Sequence, residues 1–134
     1  MDFDRLFGPF VLQVFGMLSS LLKSKLHRAR VTSAKLHYPG SIGIDSGLMA
    51  SAGIVPYEKV LIADVTNGNR LETYVVPAEA GSKQIEVLGA AALLVQEKDI
   101  VIIMGFGQFT PEEARAHKPK VIVLDENNDI IKGG

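Results

Sequence analysis

Residues 57–76 read YEKVLIADVTNGNRLETYVV: two runs rich in β-branched and aromatic residues on either side of Asn67-Gly68. Such runs suit a pleated, half-buried surface, and Asn-Gly is the dipeptide that a tight primed turn selects, because its central residues need positive φ. The stretch therefore predicts a β-hairpin. On its second strand Arg70, Glu72 and Tyr74 have one parity and Thr73 the other, since side chains alternate along a strand.

The same reading extends in both directions. In KLHRARVT (25–32) strict alternation places Lys25, His27, Ala29 and Val31 on one face and Leu26, Arg28 and Arg30 on the other. KDIVIIMGF (98–106) is a continuous apolar run that suits a strand buried on both faces, and KVIVLDENNDII (120–131) reads as a strand, a polar turn and a stub. Three short helices interrupt the strands. Asp45 caps SGLMASAG, which Gly53 ends; GAAALLVQ follows Leu88; and TPEEARAHK has Thr110 as N-cap, Pro111 at the first helical position and Glu113 completing a capping box. The fold class expected is mainly β, a small barrel or sandwich with few helices, in one domain.

Composition narrows the function. The chain has 134 residues, enough for one real core. Fourteen Lys and Arg stand against 15 Asp and Glu, for a net charge of -1. That balance lacks the basic excess on which nucleic-acid or anionic-membrane binding rests, so a small molecule or a protein is the expected partner. With no cysteine, disulfides, thiolate nucleophiles and Cys-bound zinc are excluded, and a cytoplasmic location is the default. Residues 1–16, MDFDRLFGPFVLQVFG, are acidic at the start and broken by Pro9 and Gln13, which makes a poor signal peptide and a short membrane span. They are read as an N-terminal extension to a domain at 17–134.

Absent motifs prune further. There is no GxxxxGK[ST], no HExxH and no GxSxG, while MGFGQF (104–109) is only a fragment of a glycine-rich loop. His27, His37 and His117 fall on separate elements, so no metal site is expected. What remains is HYPGSIGID (37–45). Pro-Gly-Ser is ordinarily a turn. A Gly-Ser step beside a strand is also what backbone self-cleavage requires, because a hydroxyl reaches the preceding carbonyl only if that peptide bends, and Gly40 carries no Cβ to obstruct it. The resulting ester can eliminate to dehydroalanine and hydrolyse to a pyruvoyl ketone. That electrophile can form a Schiff base with an amino acid and accept the electron pair left by departing CO2.

Here the residues resemble a known family. KSKLHRARVTSAKLHYPGSIGID (23–45), EKVLIADVTNGNRLETYVVPAEAGS (58–82), GAAALLVQEKDIVII (89–103) and HKPKVIVLD (117–125) are similar to bacterial pyruvoyl-dependent aspartate 1-decarboxylases. The resemblance runs from Met17 nearly to the C-terminus. It implies a double-psi β-barrel, a homotetramer with sites between subunits, and conversion of L-aspartate to β-alanine for pantothenate and coenzyme A synthesis. It implies self-cleavage between Gly40 and Ser41, aided by Thr73 and in some members by a maturation partner. Ser41 would become the covalent pyruvoyl cofactor. Lys25 and Arg70 would hold substrate carboxylates, Tyr74 would protonate the carbon that loses CO2, Gly89, Ala90 and Ala91 would line the substrate site, and His27 and Tyr38 would support it. Two anions on one substrate call for such cations.

The chain departs from the family at Leu88, where Asn is usual before GAAA, at Ala80, at Pro39 and, compared with some members, at Ala63. Leu88 removes an amide able to make several hydrogen bonds, which leaves a paralogue acting on glutamate or a less polar amino acid as a rival reading. A barrel that never matures and acts only by binding is the rival from another class.

Overall fold

The computed structural model describes residues 16–133, and all of the expected extension but its last residue lies outside them. The strands are β1 (Ser19–Arg30), β2 (Ser33–Lys35), β3 (Ser41–Asp45), β4 (Lys59–Asp64), β5 (Arg70–Ala78), β6 (Ile85–Leu88), β7 (Ile100–Phe109), β8 (Lys120–Leu124) and β9 (Ile130–Lys132). They are joined in one sheet in the order β2-β6-β3-β5-β4-β7-β1-β8-β9. Two long strands serve different neighbours along their length. β5 pairs antiparallel with β4 through Arg70–Tyr74 and then parallel with β3 through Val75–Ala78. β1 pairs antiparallel with β7 and, over Ser24–His27, parallel with β8. This curled, mainly β arrangement is the double-psi β-barrel.

Its interior follows from the two-residue period. Leu26, Ile42, Ile44, Ile62, Val75, Ile85, Val87, Val101, Ile103 and Ile122 are all fully buried in one cluster. Each contributes about 1.5–3 kcal/mol of apolar burial.

Two of the three helices form as their sequence signals dictate. α1 (Ser46–Ala52) starts at Asp45, whose carboxylate accepts from the Gly47 N–H at 2.7 Å, and ends on left-handed Gly53. α2 (Pro111–Ala116) carries the complete Thr110/Glu113 capping box. The third is shorter than expected: Gly89–Leu93 forms a 3-10 turn, η1, that stops at Leu94.

Three further expectations are corrected. Strict alternation fails in β1, where the register against β7 slips between Leu26 and Ala29 and Arg28 takes φ +65. This bulge turns Leu26, Ala29 and Val31 all into the core, while Lys25 and His27 stay on the outer side. The hairpin turn is a five-residue connection, Val65–Asn69, with only Gly68 left-handed. The carboxylate of Asp64 accepts from Thr66 N–H and the Asn67 side chain from Asn69 N–H, both at 2.8 Å, so side chains close this loop where a two-residue turn would use backbone alone. Finally, β7 is not buried on both faces. Val101 and Ile103 are in the core, but Ile102 and Met104 are only partly covered and Phe106 is exposed.

Candidate active site

Ser41 opens β3, and two registers fix its neighbours. Across the antiparallel β3/β6 ladder it pairs with Leu88. On the parallel β3/β5 side the ladder begins at Ile42 and Val75, so Ser41 and Tyr74 each stand one residue before its first pair. Val87, Ile42 and Val75 point into the core and are fully buried. One residue away, Leu88, Ser41 and Tyr74 form a row on the opposite face. Ser41 is only 4 % exposed, whereas Tyr74 is 40 % exposed.

Tyr74 is also where β5 changes partner, being the last residue paired to β4, through Lys59. Lys59 reaches along the same face to Glu72 at 2.9 Å. With Thr73 these residues line an open recess of about 320 Å³ beside the tyrosine. Thr73 itself pairs with Val60 and has the opposite parity to Tyr74.

The peptide before Ser41 is held by a neighbouring glycine. Gly89 has φ +79, and a Cβ there would lie 2.6 Å from the Gly40 Cα and 2.9 Å from both Gly40 N and Tyr38 O. Only glycine allows η1 to approach this closely. Gly40 packs less tightly than its neighbour. Gly40 is not left-handed, and a Cβ on it would meet nothing nearer than the Leu88 carbonyl at 4.0 Å. The close contact between the two glycines is therefore one that Gly89 permits. Ala90 is exposed and Ala91 half-buried at the start of η1, and Tyr38 is exposed with the Lys35 ammonium 5.2 Å from its ring centre.

The cationic residues stand apart from this row. Lys25 pairs with Met104, Met104 with Leu61 and Leu61 with Glu72, so three strand steps, roughly 14 Å, separate Lys25 from β5. Arg70 pairs with Ala63 and lies four residues from Tyr74, about 13 Å along the strand. One chain therefore brings Gly40, Ser41, Tyr74, Leu88 and Gly89 together and leaves Lys25, His27 and Arg70 elsewhere on the outer face. His27 has its Nδ1 buried without a partner. Burial, then the charges of Lys25 and Arg28, hold its pKa below the ordinary imidazole value. Both effects favour the neutral ring.

Sequence reasoning missed Tyr57. Its ring centre lies 6.5 Å from that of Tyr74, and its φ is +68. Pro56 before it signals a turn, but nothing in the residue types announces a tyrosine in a left-handed position.

A buried serine at the head of a strand, with its preceding peptide clamped and a tyrosine alongside, defines a small β-barrel whose candidate chemistry is centred on one backbone bond. The chain belongs to the aspartate decarboxylase family, which it matches over residues 17–131. Among similar proteins, the aspartate 1-decarboxylase of Clostridium kluyveri is 57 % identical over 116 residues, covering 87 % of this chain and 91 % of that one. Those of Salinibacter ruber and Listeria monocytogenes are each 51 % identical, covering 84 % and 85 % of this chain and 77 % and 90 % of their own.

Proposed function

We propose that this chain cuts its own backbone between Gly40 and Ser41 and then decarboxylates L-aspartate to β-alanine and CO2, supplying pantothenate and coenzyme A synthesis. The observation that carries this reading is the row Leu88–Ser41–Tyr74, with Gly40 pressed on Gly89, in a member of this family.

The Ser41 hydroxyl attacks the Gly40 carbonyl, and Thr73 assists. Near-complete burial of Ser41 supports a directed attack, since bulk water has little access to compete. A pyruvoyl group derived from Ser41 fits the residues present, because the Gly40 side of the bond sits in a cradle that a Cβ at position 89 would fill. Once formed at position 41, it would supply an electrophilic carbonyl to join the substrate amine and serve as electron sink for the loss of CO2. Tyr74 delivers the proton that replaces CO2 on the same carbon. Lys25 and Arg70 hold the substrate carboxylates, Gly89, Ala90 and Ala91 line the site, and Tyr38 and the neutral His27 support it. Because Lys25 stands three strands from β5, the working form is an assembly, read as a cytoplasmic homotetramer, in which one copy brings its lysine to the serine of another. Maturation proceeds alone or with a partner protein. Among the described residues no helix is long and apolar enough to cross a membrane.

Intact mass of the purified protein tests the central claim. Two fragments are expected, one ending at Gly40 and one beginning at residue 41, and Ser41→Ala should remain whole and inactive. A single full-length chain that releases CO2 from aspartate would refute the mechanism.

A second reading rests on Leu88, which stands opposite Ser41 where an amide would otherwise offer hydrogen bonds. An apolar wall there favours a less polar substrate. A kcat/KM for aspartate well below that for another amino acid would select it.

A further inference from the structure

Val55, Pro56, Tyr57 and Glu58 form a turn closed by the Glu58 N–H on the Val55 carbonyl at 3.2 Å. Pro56 occupies its second position and Tyr57, at φ +68, its third. A left-handed third position is the type II arrangement, which glycine or asparagine fills at least cost. For a bulky side chain this backbone is unfavourable and persists only where its surroundings impose it. The ring is 76 % exposed, so core burial does not repay the strain.

The surroundings impose it from two sides. Tyr57 N–H donates to the Val75 carbonyl at 2.7 Å, and Val75 N–H donates to the Glu58 carbonyl at 3.0 Å. Glu58 is in turn anchored by Lys23, 2.5 Å from its carboxylate, and Lys23 also donates to the Gly53 carbonyl at 2.9 Å. The turn is thus tied to the residue directly after Tyr74. Its exposed ring lies in the 4.5–7 Å range in which aromatic pairs attract, tilted by 35° to that of Tyr74.

We infer that Tyr57 is a positioning residue for Tyr74: its ring flanks the Tyr74 phenol and keeps it over the face that carries Ser41. The inference rests on the reading of Tyr74 as proton donor. It explains why a tyrosine stands where the backbone alone would select glycine or asparagine.

Substitution separates ring from backbone. Tyr57→Asn removes the ring and suits the left-handed position, while Tyr57→Phe keeps the ring and loses only the hydroxyl. Activity is measured per cleaved subunit, with cleavage counted by intact mass, in H2O and in D2O. Tyr57→Asn should melt at or above the wild-type temperature, lose about tenfold in kcat with little change in KM, and show a larger solvent isotope effect, within the ~10²-fold that small misplacements of reacting groups can cost. Tyr57→Phe should restore both kcat and the isotope effect. An unchanged kcat and isotope effect in Tyr57→Asn would overturn the inference, as would a loss traced wholly to a smaller oligomer. Tyr74→Phe is run beside them. If it keeps full activity, the proton-donor reading itself fails; if it loses activity while Tyr57→Asn does not, only the positioning role fails.

Discussion

Ser41 and Tyr74 each stand one residue before the first paired positions of two parallel strands, the fully buried Ile42 and Val75. Core packing therefore fixes the spacing of the two polar residues. Neither can shift along its strand without moving an isoleucine or a valine out of the interior.

The clamp on the peptide before Ser41 can be tested at Gly89. Gly89→Ala places a methyl group 2.6 Å from the Gly40 Cα and costs about 1–2 kcal/mol for the left-handed backbone alone. Gly81→Ala is the matched control, with φ +83 but nothing within 4 Å of the added Cβ. Cleavage followed by mass should slow at least tenfold in Gly89→Ala and stay near wild type in Gly81→Ala. Equal rates in the two variants would show that the contact with Gly40 does not matter.

Asp64 makes stability fall as pH rises from acid to neutral. Asp64 and Asp99 are 2 % and 8 % exposed, and burial first, then the neighbouring Asp99 carboxyl, raises Asp64 to about 6. An acid with a raised folded-state pKa contributes fully below its unfolded value near 4, and the contribution is lost as pH rises through about 6. Thermal unfolding should show a loss on the order of 1–3 kcal/mol between pH 4 and 7. Asp64→Asn, whose amide can donate to Asp99 at any pH, should flatten that slope. Parallel profiles for the two proteins would exclude the pair as its cause.

Asp45 sets the acid limit. Its carboxylate accepts from the N–H groups of Gly47, Gly81 and Lys83 at 2.7, 3.1 and 2.8 Å. Burial pushes its pKa up, but these backbone donors outweigh it and the net direction is down. Its contribution is present above the ordinary carboxylate range and is lost as pH falls through the lowered value. Asp45→Ala strands three donors and should cost roughly 2–4 kcal/mol in denaturant unfolding at neutral pH. Asp45→Asn should cost less, and a neutral result for Asp45→Ala would mean that water replaces the carboxylate.

Separation of Lys25 from Ser41 within one chain predicts complementation. Lys25→Ala and Ser41→Ala should each be inactive when expressed alone. Co-expressed, they should regain about a quarter of wild-type activity if copies mix at random in a symmetric assembly and each site draws on two of them. No recovery in verified mixed oligomers would place both residues in the same subunit's site.

Much of this architecture was legible in the chain. Asp45, Gly53, Thr110 and Glu113 act through hydrogen bonds within a few residues of themselves, so their roles are local and visible in sequence. The β1 bulge was not, because Arg28 becomes left-handed only so that Leu26 and Ala29 can both meet β7 and the core. The Asn67-Gly68 turn lengthened because Asp64 and Asn67 offered side-chain acceptors that compete with a two-residue geometry. At the candidate site, the nearness of Ser41 and Tyr74 depends on a register between strands far apart in sequence. The resemblance supplied residue identities, but only that register shows which of them are neighbours.

β1 lies between β7 and β8 in the sheet, and β2 is laddered to β6. Both strands precede Gly40, so breaking the bond at 40–41 leaves an N-terminal piece that still supplies Leu26, Ala29 and Val31 to the common interior. The cut protein is then a two-fragment complex whose dissociation is the same event as global unfolding. The pieces should co-migrate under native conditions and part only in denaturant, and the severed ends gain local freedom without releasing the barrel.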